Sequence, residues 1–255
     1  MGVDRGVAIP VCAGEQTYDF THSQKKNMSK ADRYIKRLQR KLARQQKGSN
    51  RRAKTKHRIA VHHAKKANIR NDFAHKTSRL LVDSSAKIIV FEALRTARMT
   101  RRPKAKQDEQ GRFISNKAKQ KAGLNKSILN VGWHVIETYT YYKAYSSSKA
   151  VFKIPAPTTS QECAKCGHTH PDNRKTQALF VCGNCGNTDN ADHNASLVMK
   201  KRAINLILDT GTVLSGDGVL RTQSDSGRGG NRKTGRAKSS TSSAQRSVKK
   251  EKLAA

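Results

Sequence analysis

Apolar residues fall in short runs between long polar stretches, and the period of each run predicts its element. Gly2–Ala13 reads as a strand, and Gly14 turns it toward a second strand around Thr17–Phe20, although Pro10 removes one ladder donor. Ser29 is a candidate N-cap for a helix over Lys30–Lys47, in which Tyr34, Leu38 and Leu42 recur every fourth residue. Gly48, Ser49 and Asn50 interrupt it. A longer helix then runs to about Asp83 on Ile59, Val61, Ile69, Phe73, Leu80 and Leu81, which predicts an antiparallel hairpin at about residues 24–84. Lys87–Glu92 is a short β-branched run and the clearest strand. Leu124–Tyr145 carries Leu124, Ile128, Val131 and Val135 at helical spacing, Val151–Ile154 reads as a strand and Ala195–Leu208 as a helix. Arg95–Lys121 is basic and marked by Gly and Pro, which predicts a flexible loop. After residue 220 the only larger aliphatics are Val248 and Leu253, so residues 209–255 are expected to form a disordered basic tail. The order of elements predicts an α/β fold without internal repeats.

Charge sharpens this picture. The 255 residues include 52 Lys and Arg against 18 Asp and Glu, a formal net charge of +34. Residues 24–70 hold 18 basic residues and one acid, Asp32; residues 95–126 hold 11 and two; residues 221–255 hold 10 and two. The rest of the chain balances 13 against 13, so a neutral core carries three basic attachments. Such a chain binds polyanions, and most small-molecule enzymes are excluded. A hairpin with so many like charges would repel itself without an anionic partner, which weighs against a merely solvated face. The chain shows no secretory signal and no apolar run near the roughly 20 residues of a membrane span, so a cytoplasmic location is expected.

Cysteines stay reduced in that compartment, so paired cysteines point to metal. Cys163-Ala-Lys-Cys166 and Cys182-Gly-Asn-Cys185 are two C-x-x-C pairs with 15 residues between them, the spacing of a four-cysteine zinc site. Redox pairs or chance pairing are the alternatives. Four thiolates would complete a tetrahedral shell, making the zinc structural and leaving His168, His170 and His193 without a ligand role. Cys12 lies in the first predicted strand and is expected to be buried.

Three of the acids stand out. Asp4 lies within the first strand, Glu92 ends the apolar run Ile88–Phe91, and Asp192 begins the last helix. A buried acid is costly unless paired or bound to a cation. Asp192 alone reads equally well as an N-cap, and Asp4 as a partner of Arg5 or a lysine. Asp32, Asp108, Glu109, Asp172, Asp217, Asp225 and Glu251 sit in polar surroundings and are expected to be solvated. If Asp4, Glu92 and Asp192 meet, they form an all-oxygen site of the kind hard divalent ions such as Mg²⁺ prefer. Two such ions about 4 Å apart suit phosphodiester cleavage.

The chain also resembles the TnpB (OrfB) family encoded by insertion sequences and related to type V CRISPR effectors. The resemblance rests on Gly2-Val-Asp-Arg-Gly-Val7, Val90-Phe-Glu-Ala-Leu94, Leu124–Trp133, Tyr142-Lys-Ala144, Thr159–Gly167, Cys182–Gly186 and Asp192-His-Asn-Ala195, in the family's order over roughly residues 1–208. It implies an RNase H-like (RuvC-like) nuclease core at 1–158 containing the basic hairpin, a zinc ribbon at 159–188 and the core's last helix at 189–208. It implies Asp4, Glu92 and Asp192 as the Mg²⁺-binding catalytic triad of a DNA endonuclease directed by a guide RNA. Family members usually carry a large region before the first catalytic Asp, so a residue-4 Asp predicts a shortened member lacking the parts that read a target-flanking motif and hold much of the guide. Asn190-Ala191 stands where the family often has an acidic and a basic residue. The alternatives are a non-catalytic zinc-ribbon remnant that binds DNA or RNA, and a conventional strand-transfer transposase.

Overall fold

The computed structural model describes residues 1–176 and 178–211, and the backbone of 213–214 and 220–221. Of the expected tail, residues 212, 215–219 and 222–255 lie outside the described residues. Asp209 and Thr210 instead complete the last helix, which Gly211 closes in the left-handed conformation.

The Gly2–Ala13 run forms two strands, β1 (Gly2–Val3) and β2 (Val11–Ala13), because Arg5–Pro10 loops out between them; β3 is Gln16–Tyr18. β1, β4 (Ile88–Glu92) and β7 (Ala150–Ile154) form a parallel sheet with β4 in the centre. Val3 pairs with Phe91, and Glu92 with Ile154. β2 and β3 pair antiparallel, and a bridge between Asp4 and Cys12 joins that hairpin to β1 through two backbone hydrogen bonds of 2.8 and 2.9 Å. The strand order is therefore β3-β2-β1-β4-β7.

Alternation on β4 decides what covers each face. Ile89 and Phe91 point into a core with Val3, with Phe73, Leu81 and Val82 of α2 (Asn50–Asp83), and with Trp133 and Ile136 of α5 (Trp133–Ser146). Val90 and Ile154 pack on the opposite face against Met199 and Ala203 of α6 (Ala191–Thr210). Gly2 permits that contact: a Cβ there would meet the Ser196 carbonyl oxygen at 2.1 Å.

The hairpin is present, with α1 (His22–Ala43) starting seven residues before the expected cap. Thr21, not Ser29, is the N-cap, in a reciprocal capping box with Gln24. Ser49 caps α2. The Arg95–Lys121 segment is less irregular than expected. It contains α3 (Thr96–Met99) and a two-stranded ribbon, β5 (Lys106–Gln107) with β6 (Phe113–Ile114), before α4 (Ala118–Val131). The single helix expected over 124–145 is two, because Gly132 at φ +76° ends α4 and starts α5. Near the C-terminal end, β8 (Leu179–Val181) and β9 (Thr188–Asn190) form a hairpin that leads directly into α6, and β10 (Val213–Leu214) pairs with β11 (Leu220–Arg221). No helix among the described residues is long and apolar enough to cross a membrane.

Candidate functional site

Parallel pairing sets the first two acids side by side. Asp4 follows β1 immediately and Glu92 ends β4, so both stand at the carboxyl edge of adjacent strands. Asp192 joins them from the first turn of α6. Burial pushes the Asp4 carboxyl up to about 7, and the negative charges of Glu92 and Asp192 add to that rise. Glu92 is also raised by burial, against an opposing hydrogen bond from the Thr159 hydroxyl and the charge of Arg5.

The local alternatives for two of these acids do not hold. Asn190 is the N-cap of α6: its side chain accepts from the N–H groups of Asp192 and His193 at 3.0 and 3.2 Å. The Asp192 carboxylate is thereby left to point elsewhere, and it pairs with Arg174 at 3.1 Å. Arg5 turns away from its neighbour Asp4. Its guanidinium bonds Glu137 at 2.8 Å and the Glu92 backbone carbonyl, and lies 5.1 Å over the Phe91 ring. Among the described residues Asp4 has no ion-pair partner.

The four sulfurs are gathered more tightly. Cys163, Cys166, Cys182 and Cys185 place their Sγ atoms within 4.8 Å of one another, and they are the group of that spacing among the described residues. The three carboxylates are not all that close. Two matching turns present the thiols: Gly167 N–H donates to the Cys163 carbonyl at 2.8 Å, and Gly186 N–H to the Cys182 carbonyl at 3.0 Å. Both glycines have positive φ, +78° and +68°, where a side chain would be strained. The backbone N–H of His168 is the main cause that brings the Cys166 thiol down to about 6. Such a donor set can hold one tetrahedral metal ion with no open position.

Several residues that sequence reasoning did not single out hold these groups. Asn173, fully buried, ties the two turns together, donating to the Gln161 and His168 carbonyls and accepting from Gly183 N–H at 3.0 Å. Asn194 fastens the cysteine module to α6 through Ala164 N–H and the Glu162 carbonyl. Arg202 binds Glu162 and the Pro157 carbonyl at the module's entry. Thr159, beside the first cysteine pair, reaches Glu92, and Arg174, between the pairs, reaches Asp192. No local pattern marks those two contacts. One clue was available for Thr159, which opens one of the family-like stretches.

Residues 1–102 match the OrfB_IS605 family, described as probable transposase, and residues 133–199 match the Cas12f1-like TNB domain. A putative RNA-guided DNA endonuclease InsQ from Escherichia coli (strain K12) is 36% identical over 77% of this chain and 47% of its own length. The CRISPR-associated endodeoxyribonuclease Cas12f1 of Sulfoacidibacillus thermotolerans is 30% identical over 77% of this chain and 44% of its own. The chain thus spans about half the length of these curated relatives. A cryo-EM structure of a Cas12f1–sgRNA–target DNA complex shares the fold, with a TM-score of 0.50 and 18% identity over 78% of this chain and 48% of that one. With two family matches in chain order and a relative at 36% identity, the chain belongs to the TnpB/OrfB family.

Proposed function

We propose that this chain is a Mg²⁺-dependent DNA endonuclease of the TnpB type, with Asp4, Glu92 and Asp192 as its catalytic metal ligands. The observation that carries the reading is the convergence of three acids at one edge of the sheet in a cationic protein. Asp4 is held up near 7 there without an ion-pair partner among the described residues. A fold gains nothing from placing three like charges together unless a cation joins them. The donor set is all oxygen, which fits a hard divalent ion.

The strand order, with β2 antiparallel and β1, β4 and β7 parallel, supports an RNase H-like core over residues 1–158. The four sulfurs and their paired turns support a zinc ribbon at 159–188, with α6 returning to the core. Bound Mg²⁺ would activate a water and stabilise the leaving oxygen in phosphodiester hydrolysis. The chain's own residues prepare that site. Thr159 fixes the Glu92 carboxylate, Asn190 frees Asp192 from capping, and Arg5 locks the β4 edge through the Glu92 carbonyl. Arg174 supplies a positive charge felt by Asp4, Glu92 and Asp192, and can meet a phosphate there. As in InsQ, whose name describes an RNA-guided DNA endonuclease, a guide RNA is the proposed director and DNA the substrate.

A second reading has two observations in its favour. Arg174 already neutralises Asp192, and the acids stand wider than the sulfurs, as they would in a non-catalytic DNA- or RNA-binding remnant. One experiment separates the two. Protein purified with its copurifying RNA and incubated with single-stranded DNA and Mg²⁺ should cut it, and Asp4→Ala should lower the rate by roughly 100-fold or more while leaving affinity for DNA intact. Equal cutting by Asp4→Ala and the parent would overturn the triad, and binding without any cutting would favour the remnant.

A further inference from the structure

One wide groove lies away from the carboxylates. It has a volume of about 1290 Å³ and runs between α1, α2 and α4, with one wall from the segment around Arg102. Arg33 and Lys36 of α1, Arg70 of α2, Arg102, and Lys119 and Lys126 of α4 line it. All but Arg70 are exposed.

The groove's electrostatics differ from those of a solvated helix face. Asp32 is the one acid among its described lining residues, and it is consumed internally. Lys66 bonds it at 2.6 Å and Lys126 at 2.8 Å, while Lys66 also donates to Asn130 at 3.1 Å. Lys66 is only 6% exposed, so this node pins α1, α2 and α4 at the floor and fixes the groove's width. The walls keep an excess of cations that nothing in the groove answers. The wall at Arg102 continues the chain from Glu92 through α3, and Asn125 of α4 holds that segment by donating to the Thr100 carbonyl at 2.6 Å.

We propose that this groove seats the phosphate backbone of a nucleic-acid strand and is a holding site separate from the carboxylate edge. The proposal deepens the nuclease reading by naming where substrate or guide is gripped, but needs no catalysis to be true. Its ligand chemistry is a row of phosphodiesters, shared by RNA and DNA. Guanidinium and ammonium groups projecting from three helices suit phosphates, whose contacts position a strand without carrying sequence information.

The test is binding without added divalent metal, so that cleavage does not enter. Labelled 20-nucleotide single strands of RNA and of DNA, identical in sequence, are titrated by fluorescence anisotropy at several salt concentrations. The groove variant is Arg33→Glu, Lys36→Glu and Arg102→Glu. The control is Lys26→Glu, Arg40→Glu and Lys47→Glu, which changes net charge equally at exposed positions outside the groove. The groove variant should bind at least tenfold more weakly, with its log affinity–log salt slope reduced by about two, since each lost phosphate contact removes about 0.7 to 0.9. The control should keep its slope within one of the parent. A loss with one polymer identifies the strand seated there, and a loss with both identifies the shared backbone. Equal losses in groove and control variants, or none in either, would overturn the proposal. Unchanged thermal unfolding of both variants establishes that the fold is intact. Cleavage by the unmodified protein is scored separately, so failure of the groove and failure of the triad give different results.

Discussion

At the scale of single residues, the site depends on side chains whose roles come from what they lack. Asp4 matters because no cation pairs with it among the described residues, and Gly2, two positions earlier, because it has no side chain. The carboxyl edge of β1 is positioned by how closely that strand lies on α6, and at Gly2 there is no room for a side chain between them. A methyl group there would sit 2.1 Å from the Ser196 carbonyl oxygen and 2.9 Å from the Met199 Cβ, so strand and helix must separate. Backbone cannot yield as the tip of a side chain can. Gly2→Ala should therefore cost about 1–3 kcal/mol, as overpacking does elsewhere, measured as a lower urea midpoint at unchanged slope. Because the shift separates Asp4 from Asp192, cleavage should fall by more than the loss of folded protein explains. An unchanged midpoint would mean that β1 is not held against α6.

At the scale of elements, the sequence disclosed what local pattern encodes. The β-branched run of β4, the two C-x-x-C pairs and the hairpin were legible because each is written within a few residues of itself. Asp4 and Glu92 could be singled out because an acid on an apolar run breaks its local pattern, whereas Asp192, at a helix start, read equally well as a cap. The ties between elements were not legible. Thr159 lies 67 residues from Glu92, and Arg5 lies 132 from Glu137, so only the folded chain brings them together. Gly132 was visible, but helical periodicity continued through it and concealed the break between α4 and α5. The cysteine module shows what such ties do: it carries both Thr159 and Arg174 to the carboxylates. Cys182→Ser should reduce bound zinc below one per chain by elemental analysis. It should also release hydrogen-exchange protection at β8 and β9 while the β4 amides stay protected. If the acids bind Mg²⁺ as proposed and the module holds them as the contacts imply, added Mg²⁺ should raise the unfolding temperature less in this variant than in the parent. A full zinc complement after the substitution would refute the four-sulfur site.

At the scale of the whole molecule, the charge of +34 is a load that the fold bears unevenly. Residues 24–70 carry 18 basic residues, and their one acid, expected to be solvated, is instead the joint of three helices. Burial alone would raise the Asp32 carboxyl, but hydrogen bonds and charges from Lys126 and Lys66 outweigh it and hold it below its usual range. The direction fixes the sign of its pH dependence. A carboxyl depressed on folding stabilises the protein fully above its unfolded value, about 3.9 for Asp, and that stability is lost as pH falls through the lower folded value. Protonation there also strands Lys66, buried and charged, and returns a positive charge to a segment already repelling itself. Asp32→Asn should accordingly lower stability at pH 7 by about 1–3 kcal/mol, the cost of leaving a buried polar partner unsatisfied. The gap between variant and parent should hold from pH 7 down to about 4 and close below it as the parent loses the same charge. Added nucleic acid should narrow the gap at pH 7, because phosphates in the groove supply the negative charge that Asp32 no longer provides. Chemical denaturation of both proteins across this pH range, with and without a short oligonucleotide, measures each part. A gap that stays constant below pH 4 would show that Asp32 acts through packing and not through its charge.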